Sequence, residues 1–233
     1  MSEKFNGFPR ATGFFRTLEH NNNREWFNAH KQNYLEAVEA PAQSFVEALG
    51  ARLKSIYPKI NAVPGGVSGS VMRIYRDVRF SKDKSPYKTN LGIVLWEGEG
   101  KKTDCPGFYF HLDKDGSSFY FGQYFFPPSV LPAYREAVDN SKLGPELEKI
   151  LAAVAKAGDY KLSGEEYKRV PSEYSADHKR ADLLRRKGVM FRAPDFPPEV
   201  VASAKLVEAC FEQAKIAFPL HKWLVKLNQR AAS

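Results

Sequence analysis

The chain has 233 residues and a net charge of +8, long enough for one well-filled hydrophobic core or two small ones. Hydrophobic residues at 43% and charged residues at 27% fit a soluble globular protein. No apolar run approaches the roughly 20 residues of a membrane span, the N-terminus lacks the apolar core of a signal peptide, and Cys105 and Cys210 make neither a disulfide framework nor a metal spacing, so a reducing cytoplasm is expected.

Phe5 to Pro9 reads as an apolar arm, and Phe14, Phe15 and Leu18 mark a short amphipathic helix from about Thr12 to Glu19. Asn21, Asn22 and Asn23 break it, and Asn22 or Asn23 can cap the next helix by accepting from a free amide of its first turn. That helix carries Trp26, Phe27, His30, Tyr34 and Val38. Pro41 marks a new start, since proline fits a first turn but not a helix interior. Phe45, Leu49, Leu53 and Ile56 form the stripe of a third helix that ends at Pro58.

Asn61 to Ser70 is a loop rich in Pro and Gly. A strand starts at Val71, because Met72 and Ile74 alternate with Arg73 and Tyr75. Leu91–Trp96, Gly107–Leu112 and Ser118–Phe126 are three further strands, the second with sharp alternation of Phe108, Phe110 and Leu112 against Tyr109 and His111. Asp113-Lys114-Asp115-Gly116 is a hairpin turn. Helices follow at about Leu131–Asn140 and Pro145–Ala157, then an irregular stretch from Lys161 to Pro171. Asp177 can cap a helix from His178 to Lys187 with Gly188 as its stop. Val189–Arg192 is a short strand, and a long helix from Glu199 to about Ala217 restarts at Pro219. The expected fold is α+β: an antiparallel β-meander packed against N-terminal and C-terminal helices in a single domain, helical over 10–58, sheet over 70–127 and helical over 129–230.

The charge sits in two places. Between Arg73 and Lys88 lie Arg73, Arg76, Arg79, Lys82, Lys84 and Lys88 against Asp77 and Asp83 alone, a local excess of +4. Between Asp177 and Arg192 lie Lys179, Arg180, Arg185, Arg186, Lys187 and Arg192 against Asp177 and Asp182, again +4. Two such stretches carry the whole excess, which argues for an anion site over a generally basic surface, with two solvated loops as the plain alternative. Phe80 and Tyr87 read as apolar anchors that keep the first stretch ordered, with Asp77 and Asp83 available to pair with its arginines.

The segment Met72-Arg73-Ile74-Tyr75-Arg76-Asp77-Val78-Arg79-Phe80-Ser81-Lys82-Asp83-Lys84-Ser85-Pro86-Tyr87-Lys88-Thr89 resembles a family of uncharacterised proteins, domain of unknown function 2461. Asn22-Asn23-Arg24-Glu25-Trp26-Phe27 with Lys31 and Tyr34, the strand Gly107–Leu112, and Asp177-His178 with Ala181-Asp182-Leu183-Leu184 and Lys187 agree with it. The resemblance covers most of the chain. It implies one intact domain with a shared special segment, and it names no reaction.

Arginine forks bind carboxylate or phosphate bidentately, and lysines add mobile positive charge. The candidate ligand-binding residues are Arg73, Tyr75, Arg76, Arg79, Lys82, Lys84, Lys88, Tyr109 and His111, with Tyr120 and Tyr124 sharing the same polar-tipped sheet face if register allows. The partner expected is an anionic small molecule bearing phosphate or carboxylate. His111 is a candidate general acid or base. No metal spacing, Walker-type loop or Gly-x-Ser-x-Gly elbow occurs, and neither a cofactor nor a reaction follows from the sequence. A structural or partner-binding module is one alternative. Non-specific nucleic-acid binding is another, ranked lower because the aromatics read as strand cores and not as exposed platforms.

Overall fold

The structure is a computed structural model that describes residues 4–66 and 68–232. Val67, in the expected Asn61–Ser70 loop, and the opening Met1-Ser2-Glu3 lie outside the described residues. In chain order the helices are α1 (Ala11–His20), α2 (Arg24–Ala29), α3 (Lys31–Tyr34), a π-helical turn (Leu35–Glu39) and α4 (Ala40–Leu53), then α5 (Leu131–Asp139), α6 (Leu143–Lys156), α7 (Ala181–Leu184), α8 (Pro198–Val201) and α9 (Lys205–Ala231). The strands are β1 (Leu91–Trp96), β2 (Gly107–Leu112), β3 (Ser117–Gln123), β4 (Lys161–Ser163) and β5 (Val189–Arg192).

The chain is α+β, with one five-stranded antiparallel sheet in the order β1-β2-β3-β5-β4 and helices before and after it. The consecutive part of the expected meander is β1-β2-β3. β5 then pairs antiparallel with β3, Phe121 opposite Phe191, and β4 pairs antiparallel with β5, Leu162 opposite Phe191. Among the described residues no helix is long and apolar enough to cross a membrane.

The chain packs as two compact units. The first comprises the residues up to Leu95 with Tyr109–Phe119 and Asp195–Glu212. Ala11, Phe14, Phe15 and Leu18 bury one face of α1, as the spacing predicts. Phe5, Phe8, Phe45 and Phe110 form an aromatic core with ring centroids 5.1–5.8 Å apart. Asn23 caps α2, its side chain accepting from Trp26 N at 2.9 Å. Pro41 does not start a new helix: the helical backbone runs on from α3 into α4. Proline brings no N–H to the ladder, and the preceding turn widens so that Ala40 N–H reaches Leu35 O, five residues back.

The second unit comprises Trp96–Phe108, Tyr120–Pro194 and the residues from Gln213 on. α5 packs on α6 and α7. Phe126 stacks on Tyr134 at 4.2 Å, and the buried Tyr134 hydroxyl donates to Leu183 O at 3.0 Å. The expected ten-residue helix after Asp177 is only α7. Asp177 is no cap, and His178 instead accepts the Arg180 N–H at Nδ1 (3.0 Å) while its Nε2 meets Asp139 at 3.1 Å. Those contacts fold residues 177–180 into turns ahead of the helix. Pro219 does not restart the last helix but lies inside α9. The buried Leu220, Trp223, Leu224 and Leu227 beyond it hold the helix through the missing hydrogen bond.

Candidate functional site

The first basic stretch is the tip of an irregular hairpin. The expected strand from Val71 is not a regular one: it makes only isolated bridges, Val71 to Ile93 and Tyr75 to Tyr87. Val94 N bonds Ser70 O at 3.0 Å and Met72 N bonds Gly92 O at 2.9 Å. Further out, Lys88 N bonds Ile74 O at 2.7 Å and Arg76 N bonds Pro86 O at 2.9 Å. Between the inner and outer pairs the outgoing arm spends Arg73 alone, while the returning arm spends Thr89, Asn90 and Leu91. That bulge breaks the ladder and separates the polar return arm from β1.

The returning arm is clamped from below. The Asn22 side chain donates to Tyr87 O at 2.9 Å and accepts from Tyr87 N at 3.1 Å. The Tyr87 ring stacks on Phe27 at 4.0 Å. Tyr87 is thus the anchor that its place in the sequence suggests. Phe80 is not: it is 95% exposed, because nothing in the tip folds back over it.

Two carboxylates organise the tip. Asp77 accepts from Arg79 Nε at 2.9 Å and Nη2 at 2.6 Å, and from the Arg79 amide at 3.3 Å. Those hydrogen bonds, the side-chain one first, lower its pKa to about 2. Asp83 accepts from the Ser85 hydroxyl at 2.6 Å and amide at 2.9 Å and binds Arg76 across the tip. These contacts, led by Ser85, hold its carboxyl well below the usual range. Lys84 Nζ donates to Val78 O and Lys88 Nζ to Arg73 O, both at 2.9 Å. Arg73 and Lys82 have neither an ion pair nor a side-chain hydrogen bond among the described residues. Burial lowers the Lys88 pKa, and the charge of Arg73 lowers it further.

Tyr109 and His111 lie on the half-exposed face of β2, as the alternation predicts. The Tyr109 hydroxyl is 3.1 Å from His111 Nδ1, and His111 Nε2 is 3.1 Å from Asp113 Oδ2. A carboxylate only accepts, so Nε2 carries the hydrogen and Nδ1 accepts from Tyr109. Asn90 Nδ2 approaches the same Nδ1 at 3.5 Å, which links this row to the bulge of the hairpin. Burial raises the Asp113 pKa, but hydrogen bonds from the Asp115 amide, His111 and the Gly116 amide outweigh it, and the pKa is lowered.

The structure therefore brings Tyr109 and His111 together with Asn90 and Asp113, and it joins Arg73 to Lys88. Tyr75 stands apart, exposed, its ring 5.4 Å from that of Tyr87. Arg76 and Arg79 are already occupied by carboxylates. Tyr120 and Tyr124 belong to the second unit, Tyr120 opposite Arg192 on β5. Sequence reasoning missed Asn90 and Asp113. Asp113 carries a turn signal, which hides its second task of orienting His111.

The second basic stretch, also in the second unit, is matched by local carboxylates. Lys187 pairs with Glu165 at 2.8 Å, Arg186 with Glu166 at 3.0 Å, and Arg185 with Asp182 at 2.6 Å. Arg180 is buried at 2% exposure and caps α5, Nε donating to Val138 O at 2.9 Å and Nη2 to Asn140 O at 3.3 Å. That stretch reads as structure.

The family described as conserved hypothetical protein, DUF2461, matches residues 10–223. The chain belongs to this family. The match spans the irregular hairpin, the Tyr109–His111–Asp113 row and the paired second basic stretch, so all three lie within the DUF2461 domain. None of the curated proteins compared with the chain matches it.

Proposed function

We propose that this DUF2461 protein binds an anionic small molecule, bearing phosphate or carboxylate, at the base of the irregular hairpin. The observation that carries the reading is the balance of pairs in the segment. Both acids are ion-paired to Arg76 and Arg79, while Arg73, Lys82, Lys84 and Lys88 have no carboxylate within ion-pair distance among the described residues, Arg73 acting on Asp77 only through its charge at longer range. Four cations on one ordered hairpin raise a local positive potential that a ligand anion relieves. Lys88 feels this directly, since burial and Arg73 both disfavour its charged form. Arg73 supplies the unpaired guanidinium fork, the group suited to bidentate recognition of phosphate or carboxylate.

The neighbouring row gives the site a means of moving a proton. A proton leaving Tyr109 passes to His111 Nδ1, and the imidazolium that results is held by Asp113 at Nε2. The two free cysteines fit a reducing cytoplasm.

The test is calorimetric titration of the protein with sulfate, inorganic phosphate and nucleotides at low salt. Binding that weakens at least tenfold in both Arg73→Ala and Lys88→Ala supports the reading. Absence of binding by every anion, or binding untouched by both changes, rejects it. A structural module, the alternative, instead predicts a lowered melting temperature in both variants with no anion effect.

A further inference from the structure

The ring of Phe80 stands almost wholly in solvent at the head of a hairpin that is otherwise tightly tied. The tip is not loose: Asp77 holds Arg79, Asp83 holds Arg76 and Ser85, and Lys84 ties back to Val78 O. Exposing a phenyl ring forfeits about 2 kcal/mol or more of burial, and here the loss occurs on an ordered support. Arg79 Cζ lies 5.8 Å from the ring centroid, and Lys82 follows two residues later with no partner among the described residues. Tyr75 is also exposed, at 55%. Phe80 and Tyr75 are therefore not the strand-core aromatics that the sequence suggests, and they stand as exposed platforms of the kind that nucleic-acid binding needs.

We propose that the hairpin tip is a stacking finger for single-stranded nucleic acid, with Phe80 taking the face of an unpaired base and Lys82 and Lys84 meeting the phosphates beside it. A single strand is the polyanion that offers both a flat π-face and regularly spaced negative charge. A duplex hides its base faces. A lipid surface rewards a broad apolar patch, whereas this tip lifts one ring among cations. This reading goes beyond small-anion binding: it shares Lys82 and Lys84 with that reading but turns on Phe80, which small-anion binding does not use. Phe80→Ala leaves sulfate binding at Arg73 and Lys88 intact, so either reading can fail alone.

The experiment is fluorescence anisotropy with labelled 12-mers of deoxythymidine and of uridine, a 12-base-pair duplex, and vesicles of phosphatidylserine and phosphatidylcholine. The expected result is single-strand binding that exceeds duplex binding. Phe80→Ala should weaken it about 5- to 150-fold, the range for one lost base stack, and Phe80→Trp should retain it. With two to four phosphate contacts, log affinity should fall against log salt with a slope of about −1.4 to −2.8. Because the ring is exposed, neither change should alter the melting temperature, which separates lost binding from misfolding. The proposal is overturned by any of three results: no single-strand binding in about 20 mM salt, equal binding by wild type and Phe80→Ala, or Phe80-dependent binding to vesicles in place of oligonucleotides.

Discussion

The side-chain amide of Asn22 pairs with the backbone of Tyr87 on both its groups, giving a hydrogen bond to the carbonyl at 2.9 Å and taking one from the amide at 3.1 Å. It acts as a one-residue strand that closes the returning arm just below the bulge. Asn22→Ala leaves a buried-side N–H and C=O of Tyr87 without partners, and each such group costs about 1–3 kcal/mol. Both bonds are only part-buried, so each group sits at the low end of that range and the variant should lose about 2 kcal/mol in urea denaturation. Amide exchange should accelerate first at Tyr87 and Lys88. Asn22→Asp can still accept from the amide but not donate, so it should fall between the two. Unchanged exchange at Tyr87 would show that the clamp holds nothing.

Arg180 and Gly144 are a second fitted pair. A Cβ on Gly144 would lie 2.3 Å from Val138 O and 2.4 Å from Arg180 Nε, so the glycine makes the room in which the guanidinium caps α5. Gly144→Ala forces the arginine or the end of α5 to shift, and overpacking of this kind costs about 1–3 kcal/mol. The expected outcome is a lower melting temperature with unchanged anion binding. A variant as stable as wild type would mean that α5 ends freely without the arginine cap.

Acid should loosen the tip before it unfolds the protein. Asp77 has its folded pKa lowered from 3.8 to about 2 by Arg79. A carboxyl with a depressed folded pKa contributes order that is complete above its unfolded value and lost as pH falls through the folded one. The window is therefore about pH 4 down to about pH 2. In a titration followed by NMR, the Arg79 Nε–H resonance should shift through that window. In Asp77→Asn it should already sit at its low-pH position at neutral pH.

How far all this could be read beforehand depends on which force sets each element. The spacing of Phe14, Phe15 and Leu18 and the alternation along β2 report burial directly, and both elements are where the pattern puts them. The pairing of Asp77 and Asp83 with arginines was also legible, since an ordered cation must meet some acceptor. The strand at Val71 misled because alternation records which face is buried and not whether a partner keeps step. The two extra residues around Asn90 are invisible to it. Pro41 misled for a related reason: a widened turn absorbs the missing N–H, and no side-chain pattern marks that turn. Phe80 reads as an anchor because phenyl rings usually bury, and only the fold reveals that nothing covers it.

Lys88 links the hairpin to anion binding through a proton. Burial, with Arg73, lowers its pKa below the ordinary 10.5, so the folded protein holds this proton less tightly than the unfolded chain does. The unliganded fold should thus gain stability as pH rises through the lowered value toward 10.5. A bound anion favours the charged form and raises the same pKa, so binding in this range takes up a proton. Sulfate keeps its charge across the range and is the probe to use. Its affinity should be flat at neutral pH and fall as pH passes the lowered Lys88 value. Lys88→Met should bind weakly at every pH, with the alkaline decline removed. Lys88→Arg keeps its charge to higher pH, so its affinity should persist where the wild type has lost its own. An identical alkaline decline in Lys88→Arg and wild type would assign the titrating group elsewhere and detach Lys88 from the site.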